Sequence, residues 1–302
     1  MGKAERNRQQ AARQRIAMQQ AAARRAEAQR RTVIVGGSVV LVIVIVVAFI
    51  VAKSLGHSSA AAKLASSGAQ SNASVVKDIT TVPAAVLDKV GAGPTGSAAV
   101  APLKTIKSAA LTSAGKPEML YVGAEYCPYC AAERWAMAVA LSRFGTLSNL
   151  HFIHSTSADV YSNTATLTFY KSGYASKYLT FVPVETTTVD KKPLQNPTAQ
   201  QAALLNKYGQ GSFPFIDIDG KYIVSGTQFL PSVLGSVATQ DATHVGLSWA
   251  QIGKDLQNPD SPVAQAIIGS ANHITAAICK VTNNQPSNVC SSKSVTSIGG
   301  EI

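Results

Sequence analysis

"MLYVGAEYCPYCAAERWAMAVALSRFG", residues 119–145, decides how the chain folds, because a short apolar run passes into a helix-like run across the pair Cys127 and Cys130. PEMLYVGA, beginning at Pro117, is short, apolar and ends in small residues, the pattern of a buried strand. From Tyr129 to Phe144 the period turns helical: Trp135, Val139 and Ser142 share one side, Ala131, Met137 and Leu141 lie nearby, and Gly145 is placed to close the helix. Cys127 then falls at a helix N-terminus, where the positive end of the helix dipole and unpaired N–H groups favour the thiolate. Cys130, one turn further in, is placed to resolve a mixed disulfide within the same motif. Pro128 suits the first helical position, since its missing N–H costs nothing there.

Outward from this segment, LHFIHS (150–155), TATLTFY (164–170) and YLTFVPVETTTV (178–189) are strand-like. TAQQAALLNKYG (198–209) is a helix with Thr198 as N-cap and Gly209 at its end. FPFIDIDGKYIVSG (213–226) is a hairpin with Asp219-Gly220 at the turn. Upstream, Pro83–Val90 is a short helix candidate with Thr81 as cap and Gly91 as stop, and Ser248–Lys280 is mostly helical with interruptions at Pro259 and Pro262. There is no internal repeat. The order strand, helix, strand, then helix, hairpin, helix describes an α/β layer fold with a mixed sheet.

The bulk numbers add a second division. The net charge of +11 over 302 residues is uneven: residues 1–31 carry nine Lys or Arg against Glu5 and Glu27, a net of +7, leaving +4 for everything else. The basic charge therefore belongs to a leader and not to a folded, groove-reading surface, which argues against nucleic acid as a partner. Thr32–Ala52 follows with no charge in 21 residues, long enough to span a bilayer core as a helix. An uncleaved transmembrane anchor is expected at 32–52, because the apolar stretch of a signal peptide is shorter. The Arg-rich flank then keeps residues 1–31 in the cytoplasm and the rest outside. Residues 53–74 have the Ser, Ala and Gly content of a flexible linker, and the exported domain is expected to occupy 75–302.

All four cysteines lie on the exported side, where disulfides persist. Cys279 and Cys290 bracket a polar turn and most simply form a structural disulfide, closing a loop worth ~3 kcal/mol by chain entropy. A shuttle role for that bridge is the sharper alternative. A zinc site shared by the four cysteines is disfavoured by the wide spacing of the second pair. His151 and His154 sit three apart on a strand and face opposite sides, so no metal is expected there. The DIDG run lacks the later ligands of a calcium loop. Asn72-Ala-Ser fits a glycosylation acceptor. Trp135 and Trp249 read as core residues.

GAEYCPYCAAERW resembles the active-site segment of the thioredoxin superfamily, with the Pro-Tyr dipeptide of glutaredoxins between the cysteines. GSFPFIDIDGKYIVSG resembles that superfamily's cis-proline strand and hairpin, with Pro214 at the cis-proline position and Phe213 before it. With the anchor, the chain resembles a family of membrane-tethered thioredoxin-like proteins, the overlap covering roughly residues 75–245. The resemblance implies a thiol–disulfide oxidoreductase acting on exported protein thiols or disulfides. Cys127 would be the nucleophile and Cys130 the resolving thiol, with Tyr129, Phe213 and Pro214 at the substrate edge. No cofactor is implied, and turnover would need a membrane redox partner, a quinone-linked oxidoreductase or an electron-supplying transporter. A catalytically inert binding module on the same fold is the rival reading. Two departures stand out. Tyr121 occupies the position of the buried Asp of thioredoxin, with Glu125 expected to face solvent, and residues 157–197 form an insertion between the two motifs.

Overall fold

Lys116–Gly123 (β3) is buried along nearly its whole length, and its alternating side chains enter two different cores. Met119 and Tyr121 point to one face and Leu120 and Val122 to the other, which is why the strand reads as a continuous apolar run. The structure is a computed structural model that describes residues 72–96 and 99–302. The leader and the 32–52 segment lie outside the described residues. Among the described residues no helix is long and apolar enough to cross a membrane.

Around β3 the sheet is mixed. Thr180–Glu185 (β8) pairs with it in parallel, Glu118 opposite Thr180 and Gly123 opposite Glu185. On its other side Phe215–Ile218 (β9) runs antiparallel, followed by Tyr222–Ser225 (β10) and the short Lys104–Thr105 (β1). Thr112–Ser113 (β2) adds a short antiparallel pair at the start of β3. A parallel neighbour needs a crossover, and Pro128–Ser142 (α3) begins it. The rest of the crossover forms two separate ribbons, Gly145–Ser148 (β4) with Gly173–Ser176 (β7) and His151–His154 (β5) with Ala165–Thr168 (β6). The 157–197 insertion thus supplies β6, β7 and β8, of which only β8 joins the main sheet.

Helices cover both faces. The smaller core holds Leu120, Val122, Val184, Phe215, Ile223 and Leu205, the last from Ala199–Gly209 (α4). The larger core lies under α3 and Pro262–Val281 (α6), a 20-residue helix buried almost all round. Residues 72–80 (α1) and Ala84–Val90 (α2) precede the sheet, while Trp249–Asp255 (α5), Ser287–Cys290 (α7) and Lys293–Gly299 (α8) flank α6.

Several expectations need correction. Residues 72–74, assigned to the linker, are already helical, and Val75 on the same helix is 1% exposed. Pro83, not Thr81, precedes α2; the Thr81 hydroxyl instead donates to the Lys77 carbonyl and closes α1. Pro262 does not interrupt the last long helix but starts it, behind the Ser261 cap. Helix α3 ends at Ser142, so Gly145 opens β4 and does not close the helix. Its burial is not confined to one side: every residue except Tyr129 and Ser142 is buried. Thr198 caps α4 in a full capping box with Gln201, and the hairpin turns at Asp219-Gly220, both at positive φ as a primed turn requires.

Candidate functional site

Strand β3 ends at Gly123, and the backbone turns through Ala124–Tyr126 into α3 with Cys127 as N-cap. Cys127 and Cys130 are free thiols, and the Cys130 backbone N–H donates to Cys127 Sγ at 3.3 Å. That bond meets one of the N–H groups that every helix start leaves unpaired. Cys127 is 7% exposed and Cys130 fully buried. The Cys127 thiol is held below its ordinary pKa by hydrogen bonding from Cys130, against the opposing effect of burial. Burial pushes the Cys130 thiol well up, and its hydrogen bond to Cys127 adds to this. The two thiols are therefore unequal, and Cys127 ionises first.

Four charged or phenolic groups lie around the pair. Arg134, one turn beyond Cys130 on α3, is fully buried and donates to both carboxylate oxygens of Glu185 on β8 at 2.8 Å. The same guanidinium donates to the Ala124 carbonyl at 2.7 Å, in the turn that carries Cys127. Burial works against the Arg134 charge, but the adjacent Glu185 outweighs it and raises its pKa. Tyr121 packs edge-on against Phe169 at 5.7 Å, with Arg134 5.9 Å from its ring centre. Its hydroxyl has no hydrogen-bond partner among the described residues. Burial raises the Tyr121 pKa well above that of a free phenol. Glu125, expected in solvent, is instead buried and accepts a hydrogen bond from Thr168 on β6 at 2.8 Å. The β5–β6 ribbon covers it, which a reading along the chain does not foresee.

An aromatic rim surrounds the thiols. Tyr126, Tyr129 and Phe213 pack against the Ala124–Cys127–Cys130 cluster, and Tyr161 meets Tyr129 edge-on at 5.7 Å. Phe213 therefore reaches the dithiol from a point more than 80 residues away, and the Phe213–Pro214 peptide is cis. The Lys191 ammonium stands 5.1 Å from the Tyr126 ring centre. The Thr156 N–H donates to the Tyr126 carbonyl, so the loop after β5 is pinned to the rim.

Cys279 and Cys290 form a disulfide with Cα atoms 5.6 Å apart, joining the end of α6 to α7. That bond removes both as zinc ligands. His154 packs on Trp249 at 4.5 Å while His151 is exposed, so the two histidines do not converge. The Trp249 indole is half-buried and donates to the carbonyls of Ile153 and Thr166, which ties α5 to the ribbon.

The sequence reading missed Arg134, Glu185 and Glu133. Their signal was present: Glu133 and Arg134 are the only charges in a helix apolar on every side, and charges buried by such a helix must find partners. Glu133 accepts from the Gln228 N–H at 2.9 Å, the Thr227 hydroxyl at 3.1 Å and the Ser270 hydroxyl at 3.3 Å, linking α3 to α6 and to the loop after β10.

A family model described as a domain of unknown function, DUF929, matches residues 103–280, from β1 through most of α6. No match was found among curated proteins or among solved structures.

Proposed function

The chain belongs to the DUF929 family, a domain of unknown function, and from the chemistry of its own site we propose that it is a thiol–disulfide oxidoreductase with a thioredoxin-like arrangement. The observation that carries this is the unequal free dithiol: Cys127 at a helix N-terminus, its sulfur 3.3 Å from the Cys130 N–H, with Cys130 buried behind it. Phe213 packed against the thiols, followed by Pro214, supports the same reading. The Cys127 thiolate attacks a substrate disulfide, forming a mixed disulfide and releasing one substrate sulfur. Cys130 then attacks Cys127 Sγ and releases the second, so the substrate gains the two electrons that the dithiol loses. Run in reverse, the same steps oxidise a substrate dithiol. The uncharged 32–52 segment behind a basic leader supports a membrane tether with the domain outside, acting on exported proteins and recycled by a membrane redox partner.

The test is thiol trapping of the full-length chain across glutathione ratios, with Cys127→Ser as control. A reversible couple is expected. One near about −120 mV would mark an oxidant and one near about −270 mV a reductase. The low exposure of Cys127 favours a second reading, an inert tethered binding module on the same fold. If Cys127 and Cys130 form no reversible couple, the oxidoreductase is lost and the module remains.

A further inference from the structure

We propose that Arg134 is a positioning residue for the Cys127–Cys130 dithiol, supplying a fixed buried cation that stabilises the thiolate state. This rests on the oxidoreductase reading and concerns how the same site is tuned. A buried carboxylate beneath the resolving thiol would oppose thiolate formation and accept its proton. Here Tyr121 lies on β3 before the motif, and the buried cation that acts on both thiols is the Arg134 guanidinium.

Three observations place it. Arg134 lies four residues after Cys130, on the same side of α3. Its Nη2 holds the carbonyl of Ala124, the residue that packs with both cysteines in one buried cluster. Its Nη1 has no hydrogen-bond partner among the described residues, although the side chain is fully buried, so the bridge to Glu185 leaves one donor edge of the guanidinium unused. Arg134 bears on Cys127 and on Cys130, lowering both thiol pKa values, though it is not the largest influence on either.

The other groups facing the thiols do not supply this charge. Tyr121 from β3, and Tyr126 and Tyr129 from the rim, are phenols raised by burial and therefore neutral. Glu125 would oppose a thiolate and is turned to Thr168. Lys191 is exposed over Tyr126 and screened by solvent. Glu185 fixes the orientation of Arg134 by the two-pronged bridge and tempers its charge. In the resolving step the Cys130 sulfur bonds to Cys127 Sγ as the mixed disulfide breaks. The Cys130 proton passes to the departing substrate sulfur, and Arg134 neither gains nor loses a proton.

The test is the pH profile of Cys127 alkylation by iodoacetamide in the reduced full-length chain, with mass spectrometry locating the adduct. Arg134→Gln should move the midpoint up by about one pH unit, about tenfold slower reaction at neutral pH. Glu185→Gln should move it down. A merely structural role would shift both variants in the same direction, or neither, and either result overturns the proposal. If a single variant fails to fold, Arg134→Met/Glu185→Leu removes both charges without leaving one unpaired. Its midpoint should still rise, and an unchanged midpoint overturns the proposal. A wild-type chain with a reversible couple but no Arg134 effect sinks only this inference, whereas a chain with no couple sinks the oxidoreductase reading.

Discussion

Tyr121 and Gly123 show how tightly the turn into the dithiol is built. The Tyr121 ring cannot retreat, because Phe169 and Arg134 hold it on two sides. A Cβ at Gly123 would fall on Oη and Cζ of that ring. Glycine is therefore required at the end of β3 by close approach, not by an unusual φ. Gly123→Ala is expected to cost about 1–3 kcal/mol, the range for overpacking a filled core, read as a lower urea midpoint at unchanged m-value. A midpoint equal to wild type would mean that Tyr121 has room to move.

At the scale of elements, the polar groups inside α3 decide its neighbours. Arg134 fixes α3 to β8, and Glu133 fixes it to Ser270 of α6. A buried ion pair is weak as a source of stability, but removing one partner is costly, so the pairing specifies which elements pack together. Helix α4 contrasts with this. It is held locally by Thr198 and Gln201, whose backbone and side chains exchange hydrogen bonds at 3.3 and 2.8 Å. Thr198→Ala should cost about 1 kcal/mol in urea unfolding and leave the dithiol potential as it was. A shift in that potential would show α4 to be coupled to the site.

Over the whole molecule, buried carboxyls set a pH dependence. Burial raises Glu133 to about 7 and Asp217 on β9 to about 6, hydrogen bonds only partly offsetting it. For a carboxyl raised in the fold, the folded chain binds more protons than the unfolded one. The stabilisation is then full below the unfolded pKa and lost as pH rises through the folded value. For Glu133 that window runs from 4.5 to about 7. His154 and His273, lowered by burial, act in the opposite sense, so the comparison with a variant isolates Glu133. Relative to wild type, Glu133→Gln should gain thermal stability steadily as pH rises from about 5 to about 8. A difference in Tm that does not change with pH would show Glu133 to be ionised throughout.

Much was legible along the chain because its signals are local. The apolar run Met119–Gly123 of β3, the cap at Thr198, the Asp219-Gly220 turn and the Cys127–Cys130 spacing each depend on a few adjacent residues. They determined the mixed α/β fold class, the dithiol at a helix start and the pairing of Cys279 with Cys290. Only the tertiary structure decided that Glu125 is covered and that Arg134 meets Glu185 across 51 residues. These are contacts between segments far apart in the chain, and no short-range pattern encodes which distant partner satisfies a buried charge. Burial itself is the physical reason: once α6 and the β5–β6 ribbon exclude water from α3, each polar group there must pair with whatever the fold brings to it.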